Sequence, residues 1–240
     1  MRVRLVSLSI AAAALFLGAC TTTRQARSVT PSGFLGESSA LLERGKSGDE
    51  ALLVYRNKST AWRSYDKIIL KPVTIWKIAD STLTPEQLAD YQTLVDSFNA
   101  TLLEKLSRTY QLTPTAAPGT LRIEAAIVNA AQAIAPLKVA KTIAPYGGVA
   151  DFLWTFATGK PAFSGEVSIE YMIRDSQSDE LLAAGVDKRV GGNQLGKATF
   201  SNWGDVRNIL TYWSDTMVYS LCVDRAAGPC EKPRAGILER

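Results

Sequence analysis

Between Thr84 and Tyr110 the apolar residues Leu88, Tyr91, Leu94, Val95, Phe98, Leu102 and Leu106 recur at intervals of three and four. That spacing places them on one face of an amphipathic helix. Thr84-Pro85-Glu86-Gln87 marks its start with a capping hydroxyl, a proline at the first helical position and a glutamine three residues after the cap. A second such stripe, Val206, Ile209, Leu210, Trp213, Met217 and Leu221, predicts a helix from about Ser201-Asn202 to about Cys222. Elsewhere the period changes to two. Tyr65 to Trp76 alternates as a strand, with Pro72 at an edge or bulge, and Leu121 to Ile127 is a second strand.

Ser164 to Gly192 reads as a hairpin. A loop at Ser176 to Asp179 sets Asp175 against Glu180, then Ile173 against Leu182, Tyr171 against Ala184 and Ile169 against Val186 on one face. The other face then carries Glu166 opposite Arg189 and Ser168 opposite Asp187. The order strand, helix, strand, hairpin, helix predicts an α+β fold, a small mostly antiparallel sheet with two amphipathic helices packed on one face. Ser32 to Tyr65 is expected to be a loop-rich arm along that domain.

The N-terminus follows a different pattern. Arg2 and Arg4 precede an apolar run from Leu5 to Leu17. Thirteen residues are too few for a transmembrane helix, which needs about 20, and fit the core of a secretory signal peptide. The run stops at Leu17-Gly18-Ala19-Cys20, which resembles the lipobox of bacterial lipoproteins. That resemblance implies diacylglyceryl transfer to the Cys20 thiol, cleavage before Cys20 and acylation of its new amine, giving a stable bilayer anchor. Thr21 stands where an aspartate commonly retains lipoproteins at the inner membrane, so the same resemblance implies the outer membrane, facing the periplasm. Thr21 to Ser32 is rich in Thr and Ser and reads as a flexible tether outside the fold.

Cleavage leaves about 220 residues, enough for one domain with a real core. It also removes Arg2 and Arg4 from 27 basic side chains, leaving 25 against 23 acidic ones. Nothing in that balance suggests a nucleic-acid partner. With Cys20 lipidated, Cys222 and Cys230 remain, eight positions apart around Gly228-Pro229, and are expected to pair in an oxidising compartment. The chain has no histidine, which removes the usual Ser-His-Asp and Cys-His chemistries and leaves no expected metal site or cofactor.

Other fragments of catalytic vocabulary are incomplete. Gly191 to Lys197 matches most of a phosphate-binding loop, but Ala198 stands where Ser or Thr would hold magnesium. Glu166 and Glu170 lie roughly 13 Å apart along one strand, too far for a glycosidase pair, although Glu124 could approach the same face. Lys138 and Lys141 with Thr142 lack a signal for the burial that a nucleophilic dyad needs. Phe152, Trp154 and Phe156 cluster within an alanine- and proline-rich insertion at 130–163, as core packing or as a contact surface for a partner or a membrane.

Ser32 to Leu35 (SGFL), SYDKIILKPV, the SIEYMIRDSQSDELLAA hairpin and the closing tryptophan-containing helix together resemble the uncharacterised bacterial lipoprotein family catalogued as domain of unknown function 3313. The resemblance covers most of the mature chain and implies a small α+β domain on a lipid anchor, with no activity attached. The expected organisation is a signal peptide at 1–19, a lipidated tether at 20–32, one periplasmic domain at 33–230 and a tail at 231–240. The expected role is non-catalytic: an accessory or binding component of the cell envelope, held to membrane lipid through Cys20, with an envelope protein as partner. A small-ligand or glycan-binding module is the alternative, ahead of an envelope hydrolase.

Overall fold

The computed structural model describes residues 23–76, 85–131, 166–191 and 204–233. Nine strands form one sheet: β1 (Thr23–Gln25), β2 (Glu43–Arg44), β3 (Leu53–Arg56), β4 (Lys67–Leu70), β5 (Thr74–Ile75), β6 (Gln111–Leu112), β7 (Thr120–Ala131), β8 (Glu166–Asp175) and β9 (Leu181–Gly191). Among the described residues two α-helices accompany them, α1 (Pro85–Leu106) and α2 (Gly204–Arg225). The strand order is β2-β3-β9-β8-β7-β4-β6, with β1 added to β9 and β5 to β7. Five of the eight pairings are antiparallel. The α+β class is as expected, but nine strands make a larger sheet than the four stretches that alternate clearly in the sequence.

The parallel part follows from α1. A helix between β5 and β7 carries the chain back to the end where it started, so β4 and β5 both lie parallel to β7. Pro72 separates β4 from β5, as a residue with no N–H to donate should. One apolar cluster takes Leu94, Phe98, Leu102 and Leu106 from α1, Ile209, Trp213 and Leu221 from α2, and Ile123, Ile127, Val167 and Ile169 from the sheet. These include most of the residues that the three-and-four spacing selects. Leu88 of the expected stripe lies outside the described side chains. A smaller cluster on Met172, Ala184 and Val186 is covered by Leu35, Phe34 and Leu42 of the arm.

The tether reading is corrected. Thr23, Arg24 and Gln25 pair with Gly191, Val190 and Arg189, and the Ala26 N–H donates to the Lys188 carbonyl at 2.8 Å. Short polar segments give no periodic signal, yet here a neighbouring strand supplies the partners that their backbone needs. Part of the arm is also strand, with β2 on β3 and β3 on β9.

Cys222 and Cys230 form the expected disulfide, with Cα atoms 5.8 Å apart. It fastens the C-terminal segment to the end of α2, and Lys232 beyond it pairs with Asp49 at 2.6 Å. Replacing both cysteines with alanine is expected to lower stability by about 2–3 kcal/mol, the loop-closure value for so short a loop. The fall in the urea midpoint measures it.

Candidate functional site

The hairpin loop forms as expected. The Asp175 N–H donates to the Glu180 carbonyl at 3.0 Å, and Asp175 Oδ1 accepts from the Gln177 and Ser178 N–H groups at 2.9 and 2.8 Å. Asp175 Oδ2 accepts from the Tyr65 hydroxyl, and burial together with that carboxylate pushes the Tyr65 phenol up to about 12. The register beyond the loop does not follow. Arg174 faces Leu181, but Ile173 faces Ala183, so Leu182 is an extra residue on β9. This bulge moves every later pair by one. Tyr171 meets Gly185, Ile169 meets Asp187 and Val167 meets Arg189. The expected pairing of Glu166 with Arg189 is therefore corrected. Glu166 lies near Lys188 at 3.1 Å, and Asp187 and Arg189 turn inward beneath α2.

Both inward residues are buried, Arg189 at 1% exposure and Asp187 at 4%. Asp187 Oδ1 accepts from Gln25 Nε2 at 2.8 Å and from the Leu52 N–H at 3.2 Å. Its Oδ2 accepts from Trp213 Nε1 at 2.7 Å and from Arg189 Nε at 3.2 Å. Four donors occupy the roughly four acceptor positions of a carboxylate. Arg189 also donates to Thr23 Oγ1 and to the Gly48 carbonyl, both at 2.9 Å, and its guanidinium lies 3.9 Å from the Tyr212 ring centre. The pair thus joins β1, β9, the 48–52 segment and α2. The Asp187 carboxylate is saturated, and it offers no free lone pair to a substrate; its bonds hold these elements together.

Beside it lies a cavity of about 70 Å³. Phe98, Leu102, Ile123, Ala125, Ile169 and Leu221 line its buried part, and its less buried lining residues include Asp49, Glu50, Arg56, Thr216 and Ser220. Gly185 helps to shape it, because a Cβ there would come within 2.6–2.7 Å of the Tyr171 ring. Tyr171 lines the cavity, and its hydroxyl has no hydrogen-bond partner among the described residues. Burial pushes its phenol pKa up; nearby Arg56 opposes the shift, while Asp187 and Glu50 add to it. Tyr171 is therefore a neutral donor beside an apolar space. One signal for this is present in the sequence, a glycine in the middle of a strand, which often marks a close approach.

The carboxylates considered for hydrolysis have separate partners, although Glu170 Oε2 is buried with none among the described residues. Glu124 accepts from Arg122 Nε at 2.8 Å, Glu166 pairs with Lys188, and the fully buried Glu170 accepts from the Ser32 N–H under the arm. Cys20, Lys138, Lys141, Thr142, Phe152, Trp154, Phe156 and the glycine-rich loop beyond Gly191 lie outside the described residues.

Among solved structures, the chain is similar to a PelC dodecamer from Paraburkholderia phytofirmans at 10% identity, covering 73% of this chain and 96% of that one with a TM-score of 0.36. It is also similar to a DUF4136 family protein from Bacteroides thetaiotaomicron at 11% identity, covering 68% and 92% with a TM-score of 0.33. No curated protein matches the chain. A family model described as "Protein of unknown function (DUF3313)" matches residues 30–217.

Proposed function

The chain belongs to the DUF3313 family, and from that premise we propose that it is a non-catalytic binding component of the cell envelope. It is anchored in the outer membrane by acyl groups on Cys20, with its domain in the periplasm. The anchor rests on the agreement of n-region, apolar length, small residues and cysteine at the N-terminus. Phe152, Trp154 and Phe156 supply one contact surface for a partner.

The observation that carries the binding role is the cavity beside Tyr171. It is far below the roughly 300–1,000 Å³ of a site that encloses a whole ligand. That size favours one apolar group of a larger partner, an envelope protein, over a free small ligand. The group would sit against Leu102, Ala125 and Ile169, with the Tyr171 hydroxyl donating to a polar atom at its base.

Cyclopentanol, an apolar ring with one acceptor, is a suitable probe. Titrated into the protein, it is expected to give saturable backbone-amide NMR shifts around residues 102, 125 and 171. Ala125→Leu, which fills the space, should remove those shifts while the rest of the spectrum keeps its dispersion. A wild-type spectrum unmoved by the probe would refute the binding role of this cavity.

A further inference from the structure

The less buried lining of the cavity comes from two segments, with Asp49, Glu50 and Arg56 on one side and Thr216, Met217 and Ser220 of α2 on the other. The cavity's mouth therefore lies between them. Of its charged lining, Arg56 is committed to Asp224 of α2, and Asp187 and Arg189 to each other. Asp49 and Glu50 remain as an acidic rim. The exposed Glu50 side chain accepts from the Lys46 N–H at 2.6 Å and has no cationic partner among the described residues.

Asp49 does have such a partner, and the chain's own tail supplies it. Lys232 Nζ lies 2.6 Å from Asp49 Oδ2. The disulfide puts it there: it returns Cys230 to Cys222, within the last turn of α2, and Lys232 is two positions beyond that fixed point. A lysine held this way has a raised effective concentration at Asp49. The contact itself is loose, because the Lys232 side chain is 59% exposed and that of Asp49 27%. Ion pairs this exposed are screened by salt and change partners at little cost. The mouth of an apolar cavity thus carries an acidic site filled by a weakly held ammonium from the same chain.

We propose that Lys232 is an internal stand-in for a basic side chain of the partner. The cavity takes an apolar group, and Asp49 takes a Lys or Arg beside that group, displacing the tail. The inference rests on the cavity reading above and names the partner's chemistry: an apolar residue flanked by a basic one. A neutral group enters without disturbing the Asp49–Lys232 pair, whereas a cationic one competes with it, so the tail weakens binding of cationic groups alone.

Two probes with the same ring separate these effects, neutral cyclopentanol and 2-cyclopentylethylamine, whose amine is an ammonium at pH 7. Each is titrated into the full-length, disulfide-bonded protein, and backbone-amide NMR shifts around residues 102, 125 and 171 give its affinity. The amine is expected to bind more tightly than the alcohol. Lys232→Ala should tighten the amine further by about two- to five-fold, the range for an exposed ion pair, and leave cyclopentanol unchanged. Asp49→Asn should remove both the amine's advantage and its response to Lys232→Ala. Equal affinities for the two probes, an amine indifferent to Lys232→Ala, or an equal gain for both probes overturns the inference; the last would make the tail a steric cover. If neither probe moves residues 102, 125 and 171, the cavity reading fails, and the inference with it.

Discussion

Asp187→Ala is expected to cost about 3–5 kcal/mol of folding stability, the range for removing one partner of a buried ion pair. The cost comes from what remains. Arg189, at 1% exposure, would keep its charge with no carboxylate against it. Trp213 Nε1 and the Leu52 N–H would lose their acceptor in the same step. Each donor left buried and unpaired adds its own desolvation penalty. Arg189 also holds Thr23, so β1 should loosen before the rest of the sheet. Urea unfolding measures the loss as a lower midpoint at unchanged slope, and hydrogen exchange at residues 23–25 reports the strand. The double variant Asp187→Leu/Arg189→Met should be far less destabilised than the sum of its single changes, because it leaves no buried charge. A single-variant cost under about 1 kcal/mol would mean that water reaches the pair and that its net contribution is that of a surface bridge.

Asp187 and Arg189 mark the limit of what a sequence of this kind conveys. Both helices were legible, because two dozen residues with a stable period overdetermine one buried face, and Tyr91, Leu94, Phe98, Leu102, Val206, Ile209 and Trp213 are all buried. The hairpin loop was legible from Asp175 and its neighbours, which make local hydrogen bonds. The strand faces were not. Alternation fixes a face only while the count is unbroken, and one extra residue at Leu182 inverted the assignment of Asp187 and Arg189. A charged pair in β9 reads as solvent-facing for the same reason that charges usually are. The short strands β1, β2, β5 and β6 have two or three residues each, too few to show any period. The cavity left no pattern either. It is a shortfall of side-chain volume between elements distant in sequence, and only Gly185 hints at it.

Leu102→Ala is expected to cost about 2–5 kcal/mol, and the local geometry argues for the upper half of that range. Losing three buried carbons removes about 2 kcal/mol of transfer free energy at about 0.8 kcal/mol per carbon. The remainder depends on whether neighbours close the gap. Leu102 is 2% exposed on α1 and borders the existing cavity, so the new space joins an old one. The surrounding wall already fails to close over that old space, and the Lys105–Asp215 ion pair ties α1 to α2 beside it. Collapse should be slight and the cavity term nearly complete, at about 24 cal/mol per Å³ of added volume. Two further results then follow from the same geometry. Cyclopentanol should bind the Leu102→Ala protein more tightly than the parent, because the enlarged site makes more apolar contact. Ala125→Leu in that background should recover part of the lost stability, since the two side chains face one space, and a double-mutant cycle should show coupling above about 0.5 kcal/mol. Strict additivity, with probe affinity unchanged, would mean that residues 102 and 125 do not share a cavity, and would remove the physical basis for a binding role there.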